Sequence, residues 1–177
     1  GNDIMDGECA SVVLIYAKGT FEKGLLGTVG IALANAMAVQ LNFSLAIQGV
    51  PYNATVYTYF VEGGSNKGAE DMAMLINDAA IQCAQARIVL GGYSQGALVL
   101  RKALNLISHN VYRKFAAIVL FGAPMKTMAF PEELRSRILS ICHVDDPLCH
   151  GIPIPVLGHL TYWRDVGMAA LWVFYRL

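Results

Sequence analysis

Apolar residues gather in short unbroken runs along this chain, and the runs alternate with longer stretches of helical spacing. Residues 11–16 (SVVLIY) read as a buried strand and lead into a glycine-rich loop over 17–27. Thr28 is placed to cap a helix that runs to about Leu41. Residues 43–49 read as a second strand and 54–59 as a third. Over 65–83, Ala69, Met72, Ala73, Ile76, Ala79 and Ala80 recur at helical spacing, the mark of an amphipathic helix. A short strand at 87–90, a helix over 95–108 and strands at 116–121 and 138–142 follow. A proline-bearing loop fills 143–158, and helical material closes the chain after Leu160. Strands this continuously apolar, alternating with helices, predict an α/β fold whose parallel sheet is covered on both faces. With no repeat or low-complexity linker, residues 1–177 are expected to form one domain.

Composition sharpens this picture. The 177 residues are 55% hydrophobic and only 15% charged, with a mean hydropathy of +0.47. The two longest apolar stretches do not predict a membrane span. Residues 31–50 are broken by Asn35, Gln40, Asn42 and Gln48, and 168–175 are too short. The apolar excess therefore belongs to a doubly covered sheet or to an exposed binding surface. Thirteen basic residues balance thirteen acidic ones, so no basic face for nucleic acid is expected. No secretory leader is visible, and the start at Gly1-Asn2-Asp3 fits a processed or trimmed form.

Four cysteines, Cys9, Cys83, Cys142 and Cys149, allow three pairings. Cys142 and Cys149 are close enough to close a short loop, which leaves Cys9 with Cys83. No CxxC spacing is present, so no metal is expected. Sequons at Asn42 and Asn53 fit a secreted, disulfide-bonded protein.

The stretch Gly91-Gly92-Tyr93-Ser94-Gln95-Gly96-Ala97 carries candidate chemistry. G-x-S-x-G between a strand and a helix fits a nucleophile elbow, a sharp turn that lifts the serine Oγ clear of the sheet edge. Side chains two residues to either side would meet neighbouring backbone, hence the glycines. The helix that follows aims N–H groups at any developing negative charge. A serine needs a base, and the base an orienting acid, in the chain order Ser, Asp or Glu, His. All four histidines, His109, His143, His150 and His159, follow Ser94. His109 is expected to cap the end of the 95–108 helix, roughly 20 Å from Ser94 by helix rise. His143 and His150 flank the loop cysteines, which leaves His159 as the base. Asp145, Asp146 and Asp165 compete as the acid, with Asp146 favoured by its place inside the Cys142–Cys149 loop.

The serine stretch, Cys142-His-Val-Asp-Asp146-Pro-Leu-Cys149 and Gly158-His159-Leu160 together resemble the cutinase family of small, lidless serine esterases. Ile15-Tyr16-Ala17-Lys18-Gly19-Thr20 resembles its oxyanion loop, and Ile47-Gln48-Gly49-Val50 its second-strand segment. The resemblance implies a small α/β-hydrolase fold with a central, mostly parallel five-stranded sheet. It implies Ser94 as nucleophile, Asp146 as acid and His159 as base, with the N–H groups of Thr20 and Gln95 as the oxyanion hole. It also implies the Thr20 hydroxyl as a candidate third donor. It implies disulfides Cys9–Cys83 and Cys142–Cys149, no cofactor, and a secreted monomer. Lys18 stands where the family usually has arginine, so a planar bidentate contact there is lost.

Two apolar stretches near this site fall where loops should be polar. Tyr59, Phe60 and Val61 in one, and Ile152, Ile154, Val156 and Leu157 in the other, are the expected substrate rim. Pro153 and Pro155 exclude regular core structure in the second. An apolar rim suits an insoluble aliphatic polyester or a lipid-like ester. Acetylxylan esterases, which share the family's fold, should need a polar rim. A binding protein that keeps only the fold is a third alternative.

Overall fold

The structure, a computed structural model, describes residues 1–124, 129–154 and 156–177. The first apolar run forms β1 (Val12–Ala17), with every residue buried. It pairs in parallel with β2 (Leu45–Gly49) on one side and β3 (Arg87–Tyr93) on the other. Beyond β3 lie β4 (Phe115–Phe121) and β5 (Ile138–Ile141), giving one parallel sheet in the order β2-β1-β3-β4-β5.

Strand alternation divides the interior into two cores. Val13, Ile15 and Ala17 face a core completed by α3 (Asn66–Gln82) and α4 (Gln95–Leu104), with Met72, Ile76, Val99 and Leu100 packed there. Val12, Leu14 and Tyr16 face the opposite core, completed by α1 (Gly27–Gln40) and α5 (Val166–Phe174) through Leu33, Met37, Ala170 and Val173. The β3–β4 register jumps from Ile88↔Phe115 to Val89↔Ala117. The extra residue, Ala116, joins Ala117 in the second core.

Three local readings of the sequence need correcting. The 54–59 segment is not a strand. Val56–Phe60 is a short helix, α2, with no buried residue and so no face for a sheet. Thr55 starts it with a capping box, in which each threonine Oγ1 accepts the other's backbone N–H at 3.2 Å. Thr28 does not cap α1 but lies inside its first turn. Glu22 does the work instead, accepting from the N–H groups of Thr28 at 2.8 Å and Val29 at 3.3 Å. The helix after Ser94 ends at Leu104, so His109 does not cap it. His109 opens a 3-10 turn, His109–Lys114, stacked on Tyr112 and 3.1 Å from Glu133.

Both disulfides form. Cys9–Cys83 ties the start of the chain to the end of α3, and Cys142–Cys149 closes the loop after β5. Asn42 and Asn53 are exposed. Among the described residues no helix is long and apolar enough to cross a membrane.

The two disulfides close loops of very different length, with sequence separations of 74 and 7. Loop-closure entropy gives about 4 kcal/mol for the first and about 2 kcal/mol for the second. Replacing Cys9 and Cys83 with serine should therefore lower the denaturant midpoint more than replacing Cys142 and Cys149. The second pair should be the more damaging to turnover, because its loop carries Asp146. Equal losses in both measurements would contradict this division.

Candidate active site

Strand β3 runs through Tyr93 and delivers Ser94 directly to the first turn of α4. Ser94 has φ 53° and ψ −118°, a conformation that a residue with a Cβ adopts only when its surroundings impose it. Two glycines permit the imposition. A Cβ on Gly96 would lie 1.9 Å from the Ala17 carbonyl oxygen, and one on Gly92 would lie 2.8 Å from the Ala97 nitrogen. The Ser94 N–H donates to the Phe121 carbonyl at 2.9 Å, anchoring the turn to β4.

Three sequence-predicted residues converge here. His159 Nε2 is 3.0 Å from Ser94 Oγ, and its Nδ1 is 2.7 Å from Asp146 Oδ2. Asp146 is fully buried, and Ser94 and His159 are each 4% exposed. A carboxylate only accepts, so Nδ1 carries the hydrogen and Nε2 presents its lone pair to the Ser94 hydroxyl. Such a line can draw a proton from Oγ as it attacks an electrophile.

Asp146 is held by further donors. Its Oδ1 accepts from the Leu148 N–H at 3.1 Å, and its Oδ2 accepts from the Tyr162 hydroxyl at 2.6 Å. Burial, reinforced by the Asp146 carboxylate, pushes the Tyr162 hydroxyl pKa up, so it remains a donor at ordinary pH. Tyr162 also accepts from the His143 N–H at 3.0 Å. The hydroxyl of Tyr93 donates to the His159 carbonyl at 2.6 Å. No motif in the sequence singles out either tyrosine. Only their position, one beside the serine and one three residues after the histidine, pointed to them.

The competing acids separate cleanly. Asp165 is engaged by His143, with Nε2 to Oδ2 at 2.7 Å, while His143 Nδ1 faces the Gly158 carbonyl at 2.9 Å. Two acceptors on the two nitrogens favour the doubly protonated ring. That ring is stacked on Tyr162 with centroids 4.1 Å apart. Burial opposes the charge on His143, but the Gly158 carbonyl and the Asp165 carboxylate outweigh it and raise the pKa. Asp145 is exposed.

Thr20 and Gln95 meet at the mouth of the site through their side chains. Gln95 is fully buried; its Nε2 donates to Thr20 Oγ1 and to the Thr55 carbonyl, both at 2.9 Å. Its Oε1 accepts from Thr58 Oγ1 at 2.7 Å. The Gln95 backbone N–H, in the first position of α4, has no partner within its own helix. Glu22 braces the Thr20 loop from behind by accepting from the Gly19 N–H at 2.8 Å. Burial raises the Glu22 pKa against the pull of those backbone donors. Lys18 forms no ion pair among the described residues; its ammonium donates to the Gly24 carbonyl and lies 5.9 Å from the Tyr52 ring centre.

Ser94 and His159 open into a cleft of about 170 Å³. Tyr59 and Phe60 line it, joined by Phe21, Val56, Leu148 and Leu160, which the sequence reading did not select. Val61, Ile152, Ile154, Val156 and Leu157 are exposed and do not line this cleft. Pro153 lines it, whereas Pro155 lies outside the described residues.

Comparison with known proteins points one way. The cutinase family profile matches residues 8–177. A cutinase of Blumeria hordei is 38% identical over 180 residues, covering 98% of this chain and 74% of its own. A Coprinopsis cinerea cutinase is 36% identical over 170 residues, covering 96% and 85%. A Trichoderma reesei cutinase, solved with a phosphonate inhibitor, superposes with a TM-score of 0.87 at 32% identity, over 99% of this chain and 78% of that one. An acetylxylan esterase superposes with a TM-score of 0.75 at 19% identity, over 95% and 98%, and so shares the fold.

Two outcomes follow from the buried network. Tyr162→Phe leaves the Asp146 carboxylate short of one donor and the His143 N–H without its acceptor, and should cost about 1–3 kcal/mol in denaturant unfolding; a change within error would remove Tyr162 from the network. For His143 the folded pKa lies above the unfolded one. Its stabilisation is therefore complete below about pH 6.5 and fades as the pH rises through the folded value. The melting-temperature gap between the wild type and His143→Gln should be widest near pH 5 and shrink towards about pH 9. A gap independent of pH would mean that the ring is not charged in the fold.

Proposed function

The chain belongs to the cutinase family and is a carboxylic ester hydrolase, and from that premise we propose a secreted serine esterase acting on cutin-type aliphatic polyesters and related acyl esters. The observation that carries the reading is the buried line from Ser94 Oγ through His159 to Asp146, with contacts of 3.0 and 2.7 Å. Ser94 is the nucleophile, His159 the base, and Asp146 the group that orients the ring and stabilises its charged form.

Oγ attacks the ester carbonyl carbon as its proton passes to His159 Nε2, and the carbonyl π pair moves onto oxygen. That oxyanion lies between the backbone N–H groups of Thr20 and Gln95. The Thr20 hydroxyl already accepts from Gln95 Nε2, so its own hydrogen is available as a third donor. Collapse expels the alcohol oxygen, which takes the proton from Nε2. A water then gives its proton to Nε2 while attacking the acyl-enzyme, and the second collapse returns the proton to Ser94 and releases the acid. The scheme requires no metal or organic cofactor, and the protein acts as a monomer.

The apolar cleft favours an acyl chain over a sugar. Val61, Ile152, Ile154, Val156 and Leu157, exposed beyond the cleft, extend an apolar surface suited to an insoluble substrate. Two disulfides support an oxidising, extracellular location.

A p-nitrophenyl ester series from acetate to palmitate, run beside a polyester film and acetylated xylan, tests the substrate. Turnover should extend to medium acyl chains and to the film; activity confined to acetyl groups would overturn the polyester reading. Ser94→Ala should lower kcat by roughly 10⁴- to 10⁶-fold, and a serine-directed phosphonate should label Ser94. Unlabelled Ser94 or undiminished turnover would remove it as the nucleophile.

A further inference from the structure

A second hollow, of about 470 Å³, adjoins the cleft and shares Tyr59, Phe60, Leu148 and Pro153 with it. Its floor is α4, where Leu98 and Arg101 lie one turn apart and both face the hollow. Among the described residues three charged groups reach it: Glu62, Arg101 and Lys102. Two of them are engaged. The Lys102 ammonium donates to the Glu62 and Gly64 carbonyls and to Asn66 Oδ1, clamping the 62–64 loop over the helix. Burial lowers the Lys102 pKa, in keeping with a structural cation. The Glu62 carboxylate accepts from the Asn66 N–H at 2.7 Å. Arg101 is half-buried and, among the described residues, has no hydrogen-bond or ion-pair partner.

We propose that Arg101 forms a carboxylate-binding subsite for esters whose aliphatic chain ends in a free acid, a substrate preference that rests on the esterase reading above. Charge, spacing and lining agree. Among the described residues two cations stand against one anion in the hollow, an excess positive charge, and the guanidinium fork matches a carboxylate in two parallel hydrogen bonds. Arg101 is seven residues beyond Ser94, roughly 10 Å along the helix, a span of about eight methylene groups. The surfaces between are apolar: Leu98, Leu148 and the rings of Tyr59 and Phe60. An ester carbonyl at Ser94 can thus extend an aliphatic chain over Leu98 to an acid held at Arg101. The acid can sit on the acyl side of the ester, as in a dicarboxylic half-ester. It can also sit on the alcohol side, as at the free-acid end of a hydroxy-acid polyester.

The test compares matched pairs within each protein, so that altered folding cancels. On the acyl side the pair is the p-nitrophenyl monoester of sebacic acid against p-nitrophenyl decanoate. On the alcohol side it is acetylated ω-hydroxydecanoate against decyl acetate. At least one acid-ended substrate should show a KM roughly five- to tenfold below its neutral partner at low salt, less at high salt, with the preference removed by Arg101→Met. The pair that responds identifies the side of the ester that enters the hollow. Calorimetry of monomethyl sebacate against methyl decanoate on Ser94→Ala, with and without Arg101→Met, provides a readout independent of turnover. If the wild type is inert on every ester while Ser94→Ala binds monomethyl sebacate more tightly than methyl decanoate and Arg101→Met removes the difference, the esterase reading fails and the subsite stands. Equal KM ratios in wild type and Arg101→Met, together with binding of monomethyl sebacate no tighter than methyl decanoate, would overturn the subsite.

Discussion

A side chain at position 96 would run into the Ala17 carbonyl, and that lack of room decides where the rest of the site lies. It lets α4 begin hard against β1, so that Ser94 must turn through a left-handed conformation between strand and helix. The same approach brings the loop after β1, with Thr20, beside the first turn of α4, where Gln95 can bond it. Five parallel strands deliver their carboxyl ends to one edge. Ser94, His159 and the loop bearing Asp146 are all reached from that edge.

Burial then converts contacts into constraints. An ionised carboxylate removed from water needs donors in place, and Asp146 has them from Leu148, His159 and Tyr162. The disulfide around it limits the loop's freedom, and His143 stacks on the Tyr162 ring. The acid is therefore held by its loop, by a neighbouring element and by a second histidine–aspartate pair. None of these restraints depends on a ligand.

Much of the fold was legible because the strands are apolar throughout, a pattern that doubly covered parallel sheets require. That Ser94, Asp146 and His159 come together was legible because an elbow motif, a cysteine-framed aspartate and chain order limit the choices. The misreadings share a cause. Residues 54–59 have the composition of a strand, yet they join no strand of the sheet among the described residues, and the Thr55–Thr58 box makes a helix instead. Thr28 has the chemistry of a cap, but Glu22 reaches α1 from six residues upstream. His109 was expected to end a helix that stops earlier, at Leu104. Tyr162 and Tyr93 act through hydroxyls whose partners lie far along the chain, a relation that spacing and periodicity do not encode.

The Gln95 carboxamide joins three pieces of chain: the start of α4, the Thr20 loop and the cap of α2. Because its bonds are complete in the resting protein, the amides proposed to hold the oxyanion are braced before an ester arrives. The ordering was done at folding, so the activation entropy of acylation should carry little contribution from the protein itself. Cooling such a catalyst slows the bond-making steps without adding a separate loop-closing barrier. A short helix capped by two threonines thus bears on how the enzyme responds to temperature as well as on where its substrate lies.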